Sequence, residues 1–372
     1  MFEVLIDTFS GDSGFWEAYS TLWQESEYKT AFQAPYFLQA LIGMVSVGKI
    51  MVVKGMKNGK LAAATLFYNK DGVYHFLSDL KTDHNYFVLH KDLSKEETHQ
   101  YFQEFLSEVE KRKLAFRINS VPSWAYYNDT LKQSLSERDI YYKVIESNPC
   151  VILETPTPDE LFKATDKKKF RQKLNRLKDK GTVEFEVFTG TEDLDNWLNG
   201  LFELHIKRWA TTSTPSIYRD DSVKEFYRSC IKSWIEQGLL IRFSIKLNDK
   251  RISYVTALFE HGYLLHHTCT FDTDYEKQSP GLLIINMIAK WMADRGMTKM
   301  EFGDGGETYK YQFTNYELPQ ETIFISGKRN LKFILKTNLV HLFKENKKLR
   351  QFYSTSIRPL MLKSGFLKKK IT

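Results

Sequence analysis

The stretch GKIMVVKGMKNGKLAAATLFYNKDGVYHFL (residues 48–77) recurs as a pattern in GLLIRFSIKLNDKRISYVTALFEHGYLLHH (residues 238–267), about 190 residues later. Each stretch holds an apolar strand, a short polar turn, a second strand ending in Leu-Phe, another turn and a third strand containing Tyr. Alternating β-forming residues joined by Asn-Gly or Asn-Asp turns are typical of an antiparallel meander. Two copies of the pattern predict two copies of one fold.

Helical segments with apolar residues three and four positions apart flank both meanders. The flanking helices and strands are predicted, in chain order, at 15–26, 36–45, 94–113, 114–120, 194–211, 223–237, 281–295 and 298–303. The repeated order of helices, three strands, helix and strand predicts two α/β lobes with mixed sheets. The expected organisation is an N-terminal lobe at 1–160, a linking helix at 161–181, a C-terminal lobe at 182–325 and a basic helical tail at 326–372.

The composition is that of a globular protein. A chain of 372 residues with 42% hydrophobic residues has enough apolar material for two cores. Cys150, Cys230 and Cys269 are far apart, which argues against a disulfide framework or a zinc site, so we expect no metal. Acidic residues near the start and the lack of a long apolar run argue against a signal peptide or a membrane span. We therefore expect a cytoplasmic protein.

Positive charge is concentrated at the end of the sequence. The net charge is +7, which by itself indicates no particular partner. Between Lys328 and Lys370, however, thirteen Lys or Arg residues stand against one acid, Glu345. Such a tail is typical either of an anionic partner, such as a membrane surface or a phosphorylated carrier, or of a solvated basic helix. We therefore include the inner membrane face among the expected partners.

A candidate anion site lies at Gln278-Ser279-Pro280-Gly281-Leu282, between a predicted strand and a predicted helix. The free N–H groups of a helix start and the positive end of its dipole attract phosphate. Pro280 favours the first helical turn, and Gly281 is expected to let a phosphate approach the backbone closely. This pattern suits the pyrophosphate of coenzyme A.

Several motifs resemble, in order and spacing, the CelD/BcsL-type acetyltransferases of the GNAT superfamily, whose duplicated lobes are similar to those of Fem-type transferases. Gln278-x-x-Gly281 resembles the GNAT pyrophosphate loop, although Leu283 stands where that loop has Gly or Ala. The other matching motifs are His205-x-x-Arg208-Trp209, Phe271-Asp272, Ser279-Pro280-Gly281, Gly303-Asp304-x-x-Glu307-x-Tyr309-Lys310, the basic helix at 170–181, Phe32-Gln33-Ala34-Pro35 and Ser78-Asp79.

The resemblance implies a tandem GNAT-like α/β fold and acetyl-CoA or another acyl-CoA as co-substrate. It also implies a Tyr after the fifth strand that protonates the leaving thiolate, which here is Tyr309. Asp304 and Glu307 follow the same strand and are candidates for a base or an acceptor contact, or for ordinary turn residues. The remaining candidates are His205, Arg208 and His266 for catalysis, and Lys310, Trp209 and Asp79 for substrate binding.

Several of these positions have specific structural expectations. His205 and Arg208 are one turn apart, so both should reach one helix face, with Trp209 anchoring the helix. His266 and His267 are neighbours on a strand, so their side chains should point to opposite faces of the sheet.

The first lobe lacks the glycine-containing helix start. Its Ser94-Lys95-Glu96-Glu97 is typical of an ordinary helix N-cap followed by acids, which would repel a pyrophosphate. We therefore expect only the C-terminal lobe to bind CoA, while the first lobe shapes the acceptor cleft.

Between the lobes, Lys167–Lys180 form a very basic helix that we expect Gly181 to cap. In Fem-type relatives such a helix could hold tRNA, but no long helical-hairpin insertion is evident, so a nucleic-acid partner is not expected. The predicted function is transfer of an acetyl or other short acyl group to an amine or hydroxyl, on an amino sugar or a polysaccharide or cell-envelope precursor. The alternatives are Fem-type aminoacyl transfer from tRNA and a non-catalytic binding protein with this fold.

Overall fold

The computed structural model describes residues 2–346 apart from 10, 12, 44, 46–48, 81, 211, 213, 214 and 261, and this part of the chain contains both strands and helices. The strands are β1 (Phe2–Thr8), β2 (Ile50–Lys57), β3 (Lys60–Lys70), β4 (Val73–Phe76), β5 (Val88–Leu89), β6 (Ala115–Pro122), β7 (Tyr141–Glu154), β8 (Val183–Phe188), β9 (Leu240–Leu247), β10 (Lys250–Glu260), β11 (Tyr263–Phe271), β12 (Lys299–Asp304) and β13 (Glu317–Ser326). The helices are α1 (Ser13–Glu25), α2 (Pro35–Ile42), α3 (Lys95–Lys111), α4 (Asn128–Ser136), α5 (Pro158–Thr165), α6 (Lys168–Lys178), α7 (Leu194–Arg208), α8 (Asp221–Glu236), α9 (Pro280–Ala293) and α10 (Leu331–Glu345).

The chain forms two compact units, and each unit is assembled from separate stretches of sequence. Unit 1 comprises Met1–Glu27, Val45–Ser147 and Gln320–Thr372, whereas unit 2 comprises Tyr28–Met44 and Asn148–Pro319. Strands β7 and β13 each begin in one unit and end in the other.

In unit 1 the strand order is β1-β2-β3-β4-β6-β13, and β5 pairs separately with β3. All these pairs are antiparallel except β4 with β6, which helix α3 connects. Asn58 and Gly59 both have positive φ in the β2–β3 turn, as a two-residue type I′ hairpin requires. At the start of α3 the Ser94 hydroxyl accepts from the Glu97 N–H and the Glu97 carboxylate accepts from the Ser94 N–H, a complete capping box.

In unit 2 the strand order is β8-β9-β10-β11-β12-β7, with only β11 and β12 parallel. Helix α9 connects these two strands and contributes its apolar face to a core that also takes side chains from α5, α6 and β9. The Phe37 ring of α2 stacks on Trp234 of α8 at 4.9 Å, and the Trp234 indole N–H donates to the Ala31 carbonyl at 3.0 Å. These contacts explain why Tyr28–Met44 belongs to unit 2.

The predicted fold is confirmed as α/β with two meanders, each followed by a helix and a further strand. Strands β1 and β8, which open the sheet of each unit, were not predicted. The expected cap of the basic helix was wrong: α6 ends at Lys178 with Asp179 as its C-cap residue, and Gly181 lies two residues further on. No helix of the described residues is long and apolar enough to cross a membrane. The predicted tail lies outside the described residues beyond Asn346, and its described part is α10.

Candidate functional site

Strands β11 and β12 part along most of their length. They pair only at Leu264 with Met300 and at Leu265 with Glu301. Further on, β11 changes register against β10, because Thr256 faces Thr268 while the next residue, Ala257, faces His266. His267 is therefore an extra residue of a β-bulge, which bends the strand. The ends of β11 and β12 thus leave backbone groups on facing strand edges that no β11–β12 ladder satisfies.

Helix α9 begins beside the end of β11. Ser279 precedes it in the left-handed conformation (φ 51°, ψ 55°) and Pro280 occupies the first turn. The Ser279 carbonyl accepts from the N–H groups of Leu282 at 2.9 Å and Leu283 at 3.1 Å. The Ser279 side chain does not cap the helix. The predicted loop, Gln278 to Leu282, therefore does open the helix.

A lysine of the basic helix reaches this helix start. The Lys173 ammonium of α6 donates to the Ser279 hydroxyl. A cation is unfavourable at a helix N-terminus, by about 0.3–1 kcal/mol, because the dipole has its positive end there. An anion bound between the Lys173 ammonium and the helix start would be attracted to both and would offset this repulsion. The sequence did not single out Lys173, because a run of eight basic residues does not show which of them reaches the start of α9.

Gly281 has a packing role that the sequence did not reveal, while the expected close approach of a phosphate stays a prediction. A Cβ at this position would lie 2.8 Å from Cδ1 of Phe271, so a side chain here would require that ring to move. The guanidinium of Arg208 lies 4.3 Å from the centroid of the same ring, and it donates to the Cys269 carbonyl at 3.4 Å. Arg208, Phe271 and Gly281 therefore connect α7, β11 and α9.

His205 and Trp209 are engaged with a neighbouring turn. The Nδ1 atom of His205 lies 2.8 Å from the Ser216 hydroxyl, and its ring stacks on Trp209 at 5.7 Å and meets Tyr218 edge-on at 4.9 Å. The half-buried Trp209 has a buried indole N–H without a hydrogen-bond partner among the described residues. His205 and Arg208 thus contact different neighbours despite their one-turn spacing.

An ion-pair cluster at the end of β11 was also not predicted from the sequence. The buried Asp272 carboxylate accepts from Lys207 and Lys250, each at 2.6 Å. Burial raises the pKa of Asp272, but the hydrogen bonds from Lys207 and Lys250 outweigh it and hold that pKa below its usual value. Lys207 also contacts Asp274 at 2.7 Å, so the cluster fixes the turn that leads into α9.

At the end of β12, Lys310 organises the glycine-rich loop. Its buried ammonium donates to the carbonyls of Gly303 at 3.2 Å, Asp304 at 3.1 Å and Gly305 at 2.7 Å. It also pairs with the exposed Glu307 carboxylate at 2.8 Å. The Lys310 side chain therefore holds the loop, because its ammonium bonds to the carbonyls of residues 303–305 and to Glu307.

The other groups after β12 are more accessible. Asp304 is half-buried and its carboxylate accepts from the Asn148 amide at 3.1 Å. Tyr309 is half-buried and packs against the unit 2 core, as Tyr311 does. Tyr311 donates to Glu317, and this hydrogen bond, with some burial, raises the pKa of Tyr311 to about 12. Asp304, which was expected to follow the strand, is thus the last residue of β12, and Glu307 and Tyr309 follow it.

The two strand histidines contact different neighbours. His266 is buried and its ring lies 6.0 Å from that of Phe302. His267 instead packs edge-on against Trp234 at 5.7 Å and Phe32 at 5.6 Å. Burial raises the pKa of the nearby Cys269 thiol to about 11, so at neutral pH this cysteine is a thiol and not a nucleophilic thiolate.

Asp79 lies in unit 1, whereas all the other candidates lie in unit 2. Its carboxylate accepts from the side-chain amides of Asn119 at 2.7 Å and of Asn85, and lies 3.6 Å from Nδ1 of His75. Burial raises the pKa of Asp79 in spite of these partners. Its polar partners therefore come from unit 1.

Residues 165–311 match a family described as acetyltransferase (GNAT) domain. No curated protein matches. The crystal structure of FemX is similar to this chain with a TM-score of 0.60 at 11% identity, covering 90% of this chain and 99% of that one. The C-terminal domain of a putative lysylphosphatidylglycerol synthetase from Agrobacterium fabrum has a TM-score of 0.54 at 10% identity, covering 88% and 96%. L-PGS from Bacillus licheniformis also has a TM-score of 0.54, at 12% identity, covering 90% and 98%.

At such identities the solved structures show the fold alone. They support the predicted GNAT-like fold, and the match of residues 165–311 to a GNAT acetyltransferase domain confirms the prediction of an acyltransferase. The narrower resemblance to CelD/BcsL-type enzymes stays a prediction.

Proposed function

We propose that the protein transfers an acetyl or other short acyl group from acyl-CoA to an amine or hydroxyl of an amino sugar or of a polysaccharide or cell-envelope precursor. The observation that carries the proposal is the Lys173 ammonium at the start of α9, beside the parted strands β11 and β12. The helix start from Gln278 to Leu282 and Lys173 fit a pyrophosphate. The separated strand edges fit the amide-containing arm of CoA, since an extended chain can hydrogen-bond to them.

Unit 1 offers a contrast that supports this assignment. The start of its corresponding helix, α3, is closed by the capping box of Ser94 and Glu97. Glu96 and Glu97 place negative charge there, and hydrogen bonds lower the pKa of both carboxyls. A pyrophosphate would be repelled, so we assign the acyl-CoA site to unit 2 alone.

The chemistry is proposed for the groups at the end of β12 and just after it. Tyr309 protonates the leaving thiolate, and Asp304 or Glu307 deprotonates or orients the acceptor. Lys310 keeps these groups in place by holding the carbonyls of residues 303–305. His205, Arg208 and His266 are the alternative catalytic groups. Of these, Arg208 packs on one side of the Phe271 ring, and the same ring lies beside Gly281 of the proposed CoA loop.

A second candidate function is aminoacyl transfer from tRNA to an envelope precursor. It is favoured by the fold similarity to FemX and by the exposed basic residues of α6. We rank it lower, because Lys173 of α6 contacts Ser279 at the start of α9, where the pyrophosphate is proposed to bind. A gel-shift assay with tRNA separates the two candidates, and acyl-CoA turnover with a panel of amino sugars separates both from a non-catalytic binding protein.

The proposed location is the cytoplasm, at the inner face of the membrane. Cys150 and Cys230 are buried and form no disulfide, which suits a reducing compartment. The basic residues of the predicted tail would be attracted to an anionic leaflet.

Binding of CoA to the Lys173→Met variant tests the site. A ligand at about 100 times its Kd adds about 2.7 kcal/mol to the free energy of unfolding. Loss of one charge-assisted hydrogen bond should weaken binding about tenfold or more, which lowers that gain to about 1.4 kcal/mol. Lys178→Met is the matched control, since Lys178 is an exposed lysine of the same helix.

We expect the thermal shift with CoA to fall in Lys173→Met and to persist in Lys178→Met. Equal shifts in both variants, or no shift in the unmodified protein at millimolar CoA, would refute the assignment.

A further inference from the structure

Helix α10 exposes a row of leucines. It packs on the rest of unit 1 through the buried Phe333 and Thr337, and Val340 joins the same small apolar cluster. At 100° per residue, the opposite face carries Leu331, Leu335, Leu339 and Leu342. Their exposed fractions are 67%, 64%, 56% and 52%. Both long faces of the helix are therefore apolar, and unit 1 covers only one of them.

This row differs from the rest of the described surface. The other large apolar side chains that are exposed among the described residues are aromatic and occur singly along the sequence. Four leucines at spacings of four, four and three form one continuous stripe along the helix. Contiguous exposed apolar patches mark interaction sites.

Basic residues border the stripe. Lys332 and Lys336 lie on the exposed surface of α10, and Arg329 lies two residues before the helix, next to Lys328, which pairs with Asp139. After Asn346 the sequence contains eight further Lys or Arg residues and no acid. The partner of this surface must therefore accept apolar side chains and offer negative charge.

We propose that α10 binds an anionic membrane surface, with the leucine stripe inserted between the lipids and the lysines at the headgroups. An interfacial helix combines these two features, apolar residues on the buried side and Lys or Arg at the border. A second copy of the chain would bring the same positive charges together. Nucleic acid would attract the lysines but would leave the leucines in water. The proposal does not depend on the acyl-transfer reaction.

The test is sedimentation of the full chain with vesicles of phosphatidylglycerol and phosphatidylcholine. In the double variant Leu335→Gln/Leu339→Gln, binding should fall by about tenfold for each leucine that no longer inserts. Gln is a good helix former, so α10 should remain helical, which circular dichroism verifies. Tyr126→Gln is the matched control, because Tyr126 is a 43% exposed apolar residue of unit 1 outside α10.

A second variant tests the charges. Lys332→Gln/Lys336→Gln should also weaken binding, and the remaining binding should depend less on salt. Vesicles of phosphatidylcholine alone should bind the protein weakly. Wild-type binding by the leucine double variant would overturn the proposal. So would a wild-type dimer that becomes a monomer in this variant, with no vesicle binding by either, since the stripe would then be a contact between copies.

Discussion

Replacement of Gly281 by Ala should reveal whether this glycine serves packing or ligand binding. Gly281 lies in the first turn of α9 with helical backbone angles, so alanine meets no backbone strain and gains up to about 1 kcal/mol of helix propensity. Against this, its Cβ would lie 2.8 Å from Cδ1 of Phe271, where carbon atoms prefer about 3.5–4.0 Å. The Phe271 ring must therefore move by about 0.7 Å or more. Overpacking of this kind costs about 1–3 kcal/mol.

The expected net effect is a loss of about 1 kcal/mol, because the packing cost exceeds the gain in helix propensity. The ring cannot retreat freely, since the Arg208 guanidinium lies 4.3 Å from its centroid. In a Phe271→Leu background the obstacle is a flexible side chain, so the same Gly281→Ala change should stabilise the protein. The sign of the effect should thus reverse between the two backgrounds.

Urea unfolding of the wild type, the two single variants Gly281→Ala and Phe271→Leu, and the double variant measures this double-mutant cycle. Equal effects of Gly281→Ala in both backgrounds would refute the packing argument. If Gly281→Ala leaves stability unchanged but abolishes CoA binding, the glycine is required for approach of the ligand, as the sequence alone suggested.

Three further predictions concern the ends of β11 and β12. Tyr309→Phe should retain CoA binding while turnover falls about 100-fold, and an unchanged rate would exclude Tyr309 as the proton donor. Lys310→Met should lower the free energy of unfolding by about 3 kcal/mol, because three carbonyls lose a charged donor; urea unfolding measures this, and a loss below about 1 kcal/mol would contradict it. Asp272→Asn should destabilise the protein most at neutral pH, since ion pairs with Lys207 and Lys250 lower the pKa of Asp272. That stabilisation is present above the ordinary pKa of about 4 and is lost as the pH falls through the lower pKa of the folded state, so the difference in Tm from the wild type should shrink below about pH 4; a constant difference would argue against the ion pairs.

Elements with strong local signals could be predicted from the sequence. Helix α8 was expected at 223–237 and occupies Asp221–Glu236, because its apolar residues recur with helical spacing. The β2–β3 turn follows from Asn58 and Gly59, which tolerate positive φ. Strand β8 was missed although Val183–Phe188 alternates apolar residues with Glu, a pattern typical of a half-buried strand.

The candidate site could be predicted only in part. Local sequence places Asp304, Glu307 and Tyr309 after one strand and Gly281 at one helix start. It cannot show that Lys173, more than 100 positions from Ser279, is the basic residue that reaches it. The packing of Phe271 on Gly281 and the place of Tyr28–Met44 in unit 2 likewise depend on tertiary contacts that periodicity does not encode.

The assembly of each unit from separate stretches has a consequence for biosynthesis. Strand β6 pairs with β13, and the partners Val121 and Glu321 are 200 residues apart. At about 5–20 residues per second, the ribosome needs roughly 10–40 s to supply the second partner after the first. During that time β6 has an uncovered edge on its β13 side, which is a template for aggregation. Nascent unit 1 should therefore be a chaperone client until translation has passed residue 326, and fragments cut at a single point between the units should be poorly soluble.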